Sequence, residues 1–257
     1  MWRWLVVWIV AVWPLPSVAL PGEPTPIVDP SGRAMRPWLR ALERARAHNG
    51  QARIAFFGAS HTAADLWTGE LRRRLQSSEG EAGHGFVFPV RWNPGYRHQD
   101  LVVESSQGWA VERYRLAEGL PSVVDGGYCG LVAQSGNPTD FARVTTTSEN
   151  PLGRRADRIE VWLRTGPSNG TLKVTIDGRE ERINTRSPTI EPIFHQWRVA
   201  DGGHSVTLAP AGDGMVSLYG VVMERSSPGV VLDQLGIPGM RANVVLHWQA
   251  EVWQAMM

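Results

Sequence analysis

Ser60 is the residue of this chain best placed to do chemistry. It ends the stretch Arg53-Ile-Ala-Phe-Phe-Gly-Ala-Ser60, in which residues 54–57 are continuously apolar and Gly58 permits a sharp exit. Such a run suits a strand covered on both faces in a parallel sheet, so Ser60 is expected at the strand's carboxyl end. A helix is expected to begin there, and a serine in that place can serve two purposes. Its hydroxyl can attack an acyl carbon, with the free N–H groups and positive end of the helix dipole favouring the resulting oxyanion. It can equally act as an N-cap, for which serine is a preferred residue.

The elements that must position this serine follow from periodicity. Ala64, Trp67, Leu71 and Leu75 recur at spacings of three and four, predicting one amphipathic helix whose opposite face carries Glu70, Arg72 and Arg73. An earlier helix is expected over residues 37–48, closed by Asn49-Gly50, and residues 80–90 read as a glycine-rich loop feeding an apolar stretch. Over residues 156–224 the pattern is β. Strands are expected at 158–164, 171–176, 182–185, 196–199, 205–208 and 216–223, with Asp177-Gly178 as a hairpin turn. A short apolar strand at 229–233, a turn containing Gly236, Pro238 and Gly239, and a helix over 242–257 complete the chain. A β-rich block between two strand-loop-helix units reads as an insertion into an α/β domain, because the flanks need each other to complete a parallel sheet.

Composition limits the function classes. The 257 residues, 42% hydrophobic, suffice for a full core. Residues 1–13 carry one cation and then a short apolar run, and Ser17 and Ala19 stand two apart before Leu20-Pro21. This pattern predicts a signal peptide cleaved after Ala19 and a periplasmic or secreted protein, with a membrane association only if the leader stays on. Removing Arg3 balances the remaining charges, and the single lysine and scattered arginines form no phosphate-tracking stripe, so nucleic acid is not an expected partner. Cys129 is alone, excluding an intrachain disulfide, and is expected as a small buried hydrophobe. The seven histidines are dispersed without metal-binding spacing, so neither a metal nor a cofactor is expected.

Gly58-Ala-Ser-His61, the helix over 66–76 and the loop 80–88 together resemble the first block of SGNH/GDSL-type hydrolases, most closely bacterial peptidoglycan O-acetyl esterases. The likeness spans roughly residues 50–257. It implies a flavodoxin-like parallel α/β sheet, here incomplete, with an inserted antiparallel β-sandwich or jelly roll that resembles a carbohydrate-binding module. The implied division is a signal peptide at 1–19, linker and helix at 20–50, the first hydrolase part at 51–100, the sandwich at 101–225 and the hydrolase continuation at 226–257. By the same resemblance Ser60 is the nucleophile and the Gly239 N–H an oxyanion-hole donor, with Gly236 the alternative. Ala59 replaces the family's usual aspartate, and the family's asparagine block and its Asp-x-x-His block have no counterpart after Gly239.

Substitutes for the missing base are poor. Asp201-Gly-Gly-His204 spells the motif, but Gly202-Gly203 marks a hairpin turn between β segments; Gly136-Asn-Pro-Thr-Asp140 imitates the asparagine block no better. His61 is adjacent to Ser60 and expected to point away, and His84 lies in the glycine-rich loop. The expectation is therefore a serine esterase removing O-acetyl groups from peptidoglycan or an O-acetylated polysaccharide, with its triad Asp and His in a missing C-terminal part. An O-acetyltransferase would use the same serine. The alternative is a non-catalytic glycan-binding protein, in which Trp162, Trp197 and Tyr219 either stack on sugars or pack the core.

Overall fold

The computed structural model describes residues 28–113, 125–147, 149 and 152–257; the expected leader lies outside them. Among the described residues there are thirteen strands, and nearly all pair antiparallel. One sheet runs β10 (Pro192–Gly202), β7 (Ala156–Arg164), β12 (Val216–Glu224), β5 (Leu131–Ser135) and β4 (Ala110–Arg113), with β2 (Gly83–Val87) also on β12. The second runs β3 (Leu101–Ser105), β6 (Ala142–Thr146), β11 (Ser205–Pro210), β8 (Thr171–Ile176) and β9 (Arg179–Asn184). Inward-facing residues of both, among them Val161, Leu163, Leu218 and Val221 from the first and Val144, Leu172, Val174 and Leu208 from the second, form one buried cluster. This is the alternation rule at work: every second side chain of β8 and β11 is buried. At the β8–β9 hairpin Asp177 (φ 50) and Gly178 (φ 86) adopt the left-handed pair that the sequence predicted.

The expected parallel α/β fold is therefore corrected. Among the described residues parallel ladder pairing is confined to β1 (Gln51–Gly58) and β13 (Gly229–Gly236), in register from Gln51↔Gly229 to Gly58↔Gly236. The physical reason lies in strand supply. A parallel sheet needs a crossover for every added strand, whereas here the two strand-loop-helix units give two strands and the remaining short strands pair antiparallel, β8 with β9 as a hairpin and most others with strands distant in sequence. The strand before Ser60 is also not covered on both faces: Ile54, Ala55 and Phe56 are half-buried and Phe57 is exposed, whereas β13 is buried throughout. Helix α1 (Arg36–Arg46) covers part of the pair, bringing Leu42 and Ala45 onto Ala52 and Val230.

The helix after Ser60 differs from its expected form. It breaks into a single turn, α2 (Ser60–Ala63), and a longer helix, α3 (Leu66–Glu79), at Asp65, whose φ of 53° is left-handed. In α3 the buried side chains are Thr68, Arg72 and Gln76, while Trp67 is exposed and Leu71 and Leu75 are half-buried. Gln76 donates from Nε2 to the carbonyls of Gly83 and Val230, stitching α3 to β13. The expected C-terminal helix is likewise two pieces, a 3-10 helix at Ala242–His247 and α4 (Ala250–Ala255).

Candidate active site

Ser60 opens α2 two residues beyond the end of β1 and is exposed, as is His61. The first bond of the turn runs from Ala63 N to Ala59 O at 2.9 Å, so the N–H groups of Ser60, His61 and Thr62 precede the ladder. Two glycines press this turn onto the strand pair. A Cβ at Gly236 would lie 2.2 Å from Ala63 N, and one at Gly58 would lie 2.1 Å from Thr62 Oγ1, so a side chain at either place would push α2 away. Gln234, buried in β13, adds a bond from Nε2 to the Thr62 carbonyl.

Gly239 lies on the loop that follows β13. Ile237 N donates to Gly58 O at 2.9 Å, which fixes the start of that loop beside the end of β1, and Met240 N closes the turn on Ile237 O at 3.0 Å. The Ser60 turn and the Gly239 loop thus leave the same carboxyl end of the parallel pair. Gly239 is exposed, has φ +80°, and has no neighbouring atom within 4 Å of a built Cβ. Gly236, the alternative, is buried against α2.

No side chain among the described residues hydrogen-bonds the Ser60 hydroxyl, and His204, His84 and His98 lie in other surroundings. His204 sits in the turn between β10 and β11. Its Nδ1 is 2.5 Å from Asp177 Oδ2 and its Nε2 is 2.7 Å from Ala200 O; Asp201 pairs instead with Arg155 and Arg225. Burial opposes the charged ring, yet the Asp177 contact raises its pKa overall. Asn137 caps the β5–β6 turn, accepting from Thr139. His84 is fully buried. Burial, then the charge of Arg72, holds its pKa down to about 4, and His98, ring-to-ring with it at 5.4 Å, is held well below its ordinary value for the same reasons. Trp162 and Tyr219 are core residues, whereas Trp197 is half-buried and donates to Glu181. Cys129 is buried, which pushes its thiol up to about 12. Among the described residues no group of three or more His, Cys, Asp or Glu is arranged to hold a metal ion.

Two buried charge networks frame the site, and sequence reasoning found neither. In the first, Arg72 donates to Asp65 Oδ2 at 2.7 Å and Asp100 Oδ2 at 2.8 Å; Asp65 also accepts from Thr68 and from Gln99 N. In the second, Asp233 of β13 accepts two bonds from Arg53 of β1, one from Phe86 N and one from the Tyr128 hydroxyl. Glu224 of β12, fully buried, joins Arg53 to Arg158 of β7. Burial and Asp233 together push the Tyr128 hydroxyl pKa upward, so it remains a donor. The only signal in the sequence was an isolated acid in each apolar strand or turn.

No family model matches the chain, and no curated protein does. Among solved structures, a peptidoglycan O-acetylesterase aligns over 84% of this chain at a TM-score of 0.61 and 22% identity, which shows a shared fold. The alignment covers 55% of that structure, so the chain spans about half its length. A family two carbohydrate esterase from Cellvibrio japonicus (12% identity, 49% of this chain, 34% of that one, TM-score 0.30) is too distant to bear on the site. The same holds for a family 35 carbohydrate binding module from Clostridium thermocellum (8% identity, 49% of this chain, 99% of that one, TM-score 0.32).

Proposed function

We propose that this chain carries the nucleophile half of an extracytoplasmic carbohydrate esterase, with Ser60 attacking the carbonyl of an O-acetyl group on peptidoglycan or a related glycan. The observation that carries this reading is the exposed Ser60 turn sharing one end of the β1–β13 pair with the Gly239 loop. The fold likeness to a peptidoglycan O-acetylesterase supports it. Attack by Ser60 Oγ would form a tetrahedral intermediate whose oxyanion accepts from the N–H groups of Ser60 and Gly239, each donor contributing about 3 kcal/mol to the barrier drop. A general base must take the Ser60 proton, and no side chain among the described residues is hydrogen-bonded to that hydroxyl.

The test is acetate release from O-acetylated peptidoglycan, with an aryl acetate as a second substrate, by protein that includes whatever sequence supplies that base. Ser60→Ala should abolish both activities and leave the denaturation midpoint within error of the parent. Equal turnover by parent and variant would sink the assignment.

A second reading, a glycan-binding protein on the same scaffold, is favoured by the absence of any described side chain bonded to the Ser60 hydroxyl. Binding to peptidoglycan with no acetate released by any form would establish it.

A further inference from the structure

A groove lies where the two antiparallel sheets present neighbouring edges. It is lined by Val90, Trp92, Trp109 and Val111 at its floor and by Arg91 and Arg113 at its rim, and has a volume of about 710 Å³. The floor is rigid. Val90 and Trp109 are buried, Trp92 and Val111 pack on the main core, and Trp109 donates from its indole N–H to Phe141 O at 2.9 Å. The Arg113 guanidinium lies 5.5 Å from the centre of the Trp92 ring, which orients it without neutralising it. A second concavity, sharing Arg91 and adding Arg97 and Gln99, continues along β3.

The exposed charge of this groove is cationic in a chain that is otherwise nearly neutral, with 26 basic and 25 acidic residues, while the buried Asp140 behind it is held by Ser106 and Ser135. Neither concavity has an aspartate or glutamate in its lining. Strand alternation explains why: Glu112, between Val111 and Arg113, turns away to Arg164, and Glu104, between Val103 and Ser105, turns away to Arg143. Arg91 and Arg113 make no ion pair among the described residues, in contrast to Arg53, Arg72, Arg158, Arg164 and Arg225. The groove on the far side of the sandwich, beside Trp197, differs in carrying both Asp177 and Glu181.

We infer that the Arg91–Arg113 groove binds a carboxylate-bearing saccharide, the guanidinium groups pairing with the carboxylate and the tryptophan floor receiving the sugar's apolar surface. Guanidinium forks match carboxylates in two-bond geometry, and aromatic rings offer the flat contact that sugars need. The inference rests on the glycan reading of the function but not on Ser60, because the groove is built from β3, β4 and the segment before β3. The carboxylate can belong to a uronic acid or to the peptide stem of peptidoglycan.

The test is titration of the full chain, followed by tryptophan fluorescence, with three probes: a uronic-acid oligosaccharide, its carboxyl-reduced counterpart and a soluble peptidoglycan fragment. At least one acidic probe should bind and the reduced one should bind at least tenfold more weakly; the acidic probe that binds identifies the source. Arg91→Ala with Arg113→Ala should remove the binding, while Arg179→Ala with Arg198→Ala, an equal loss of charge at the other groove, should retain it. Ser60→Ala should bind like the parent, so that loss of the esterase reading leaves this result standing. Equal binding of acidic and reduced probes, no binding of any probe, or an equal effect of the two double variants would overturn the inference.

Discussion

Arg72 is the side chain on which most of the local electrostatics turns. It is 1% exposed, lies between two buried carboxylates, and donates to both. Burial by itself would raise the Asp100 carboxyl, but Arg72 and its neighbours hold it below the usual range. Removing the cation strands two buried charges, so Arg72→Ala should lose about 3–5 kcal/mol in urea denaturation. The nearby histidines give a second prediction. His84 has a folded pKa of about 4 against an ordinary 6.5, and His98 is shifted the same way, so the unfolded chain binds more protons in that window. Their contribution is therefore complete above pH 6.5 and is lost as pH falls towards 4, by up to about 1.4 kcal/mol per group per pH unit. His204, whose pKa is raised, works oppositely: its contribution is complete below 6.5 and fades as pH rises through its folded value. Denaturation midpoints should thus climb between pH 4.5 and 6.5, and His204→Gln should remove the decline above it.

Among the elements, α2 is held by close approach at Gly58 and Gly236 and by the Gln234 bond. Gly236→Ala would place a methyl group against the Ala63 amide, so stability should fall by about 1–3 kcal/mol and the Ser60 turn should shift. If Ser60 is the nucleophile, acetate release should drop by more than tenfold while glycan binding persists. The elements also differ in how far their sequences announce them. β7, β8 and β11 are plain in their alternating residues, β12 in its apolar run, and Asp177-Gly178 dictates its turn. β2, Gly83-His-Gly-Phe-Val87, is buried throughout and carries two glycines, so it has no alternation to read and resembles a loop. The buried face of α3 was hidden for another reason. Its Thr68, Arg72 and Gln76 find partners in Asp65, Asp100 and two distant carbonyls, and periodicity registers apolar burial only. Ser60 and the Gly236–Gly239 loop could be located from the strand-turn-helix pattern and the family resemblance; the side chains that hold the turn, such as Gln234, could not, because they come from the far end of the chain.

Across the whole molecule, residues 36–257 form one compact unit, and Cys129 gives a direct probe of its integrity. The thiol is buried and pushed up to about 12, so a thiol reagent should label it at the rate of global unfolding, and a core-destabilising change such as Arg72→Ala should speed labelling. The β1–β13 ladder has a kinetic consequence. It joins strands about 180 residues apart, a larger loop to close than that of β8–β9, β4–β5 or β7–β12, so its closure is expected late. β1 has β13 as its one strand neighbour, whereas β12 is held by β2, β5 and β7. Assembly should end where it began in sequence, with β1 and the Ser60 turn docking onto finished antiparallel sheets. Amide hydrogen exchange should show β1 opening while β12 stays protected, making the serine-bearing edge the last part to arrive and the first to leave.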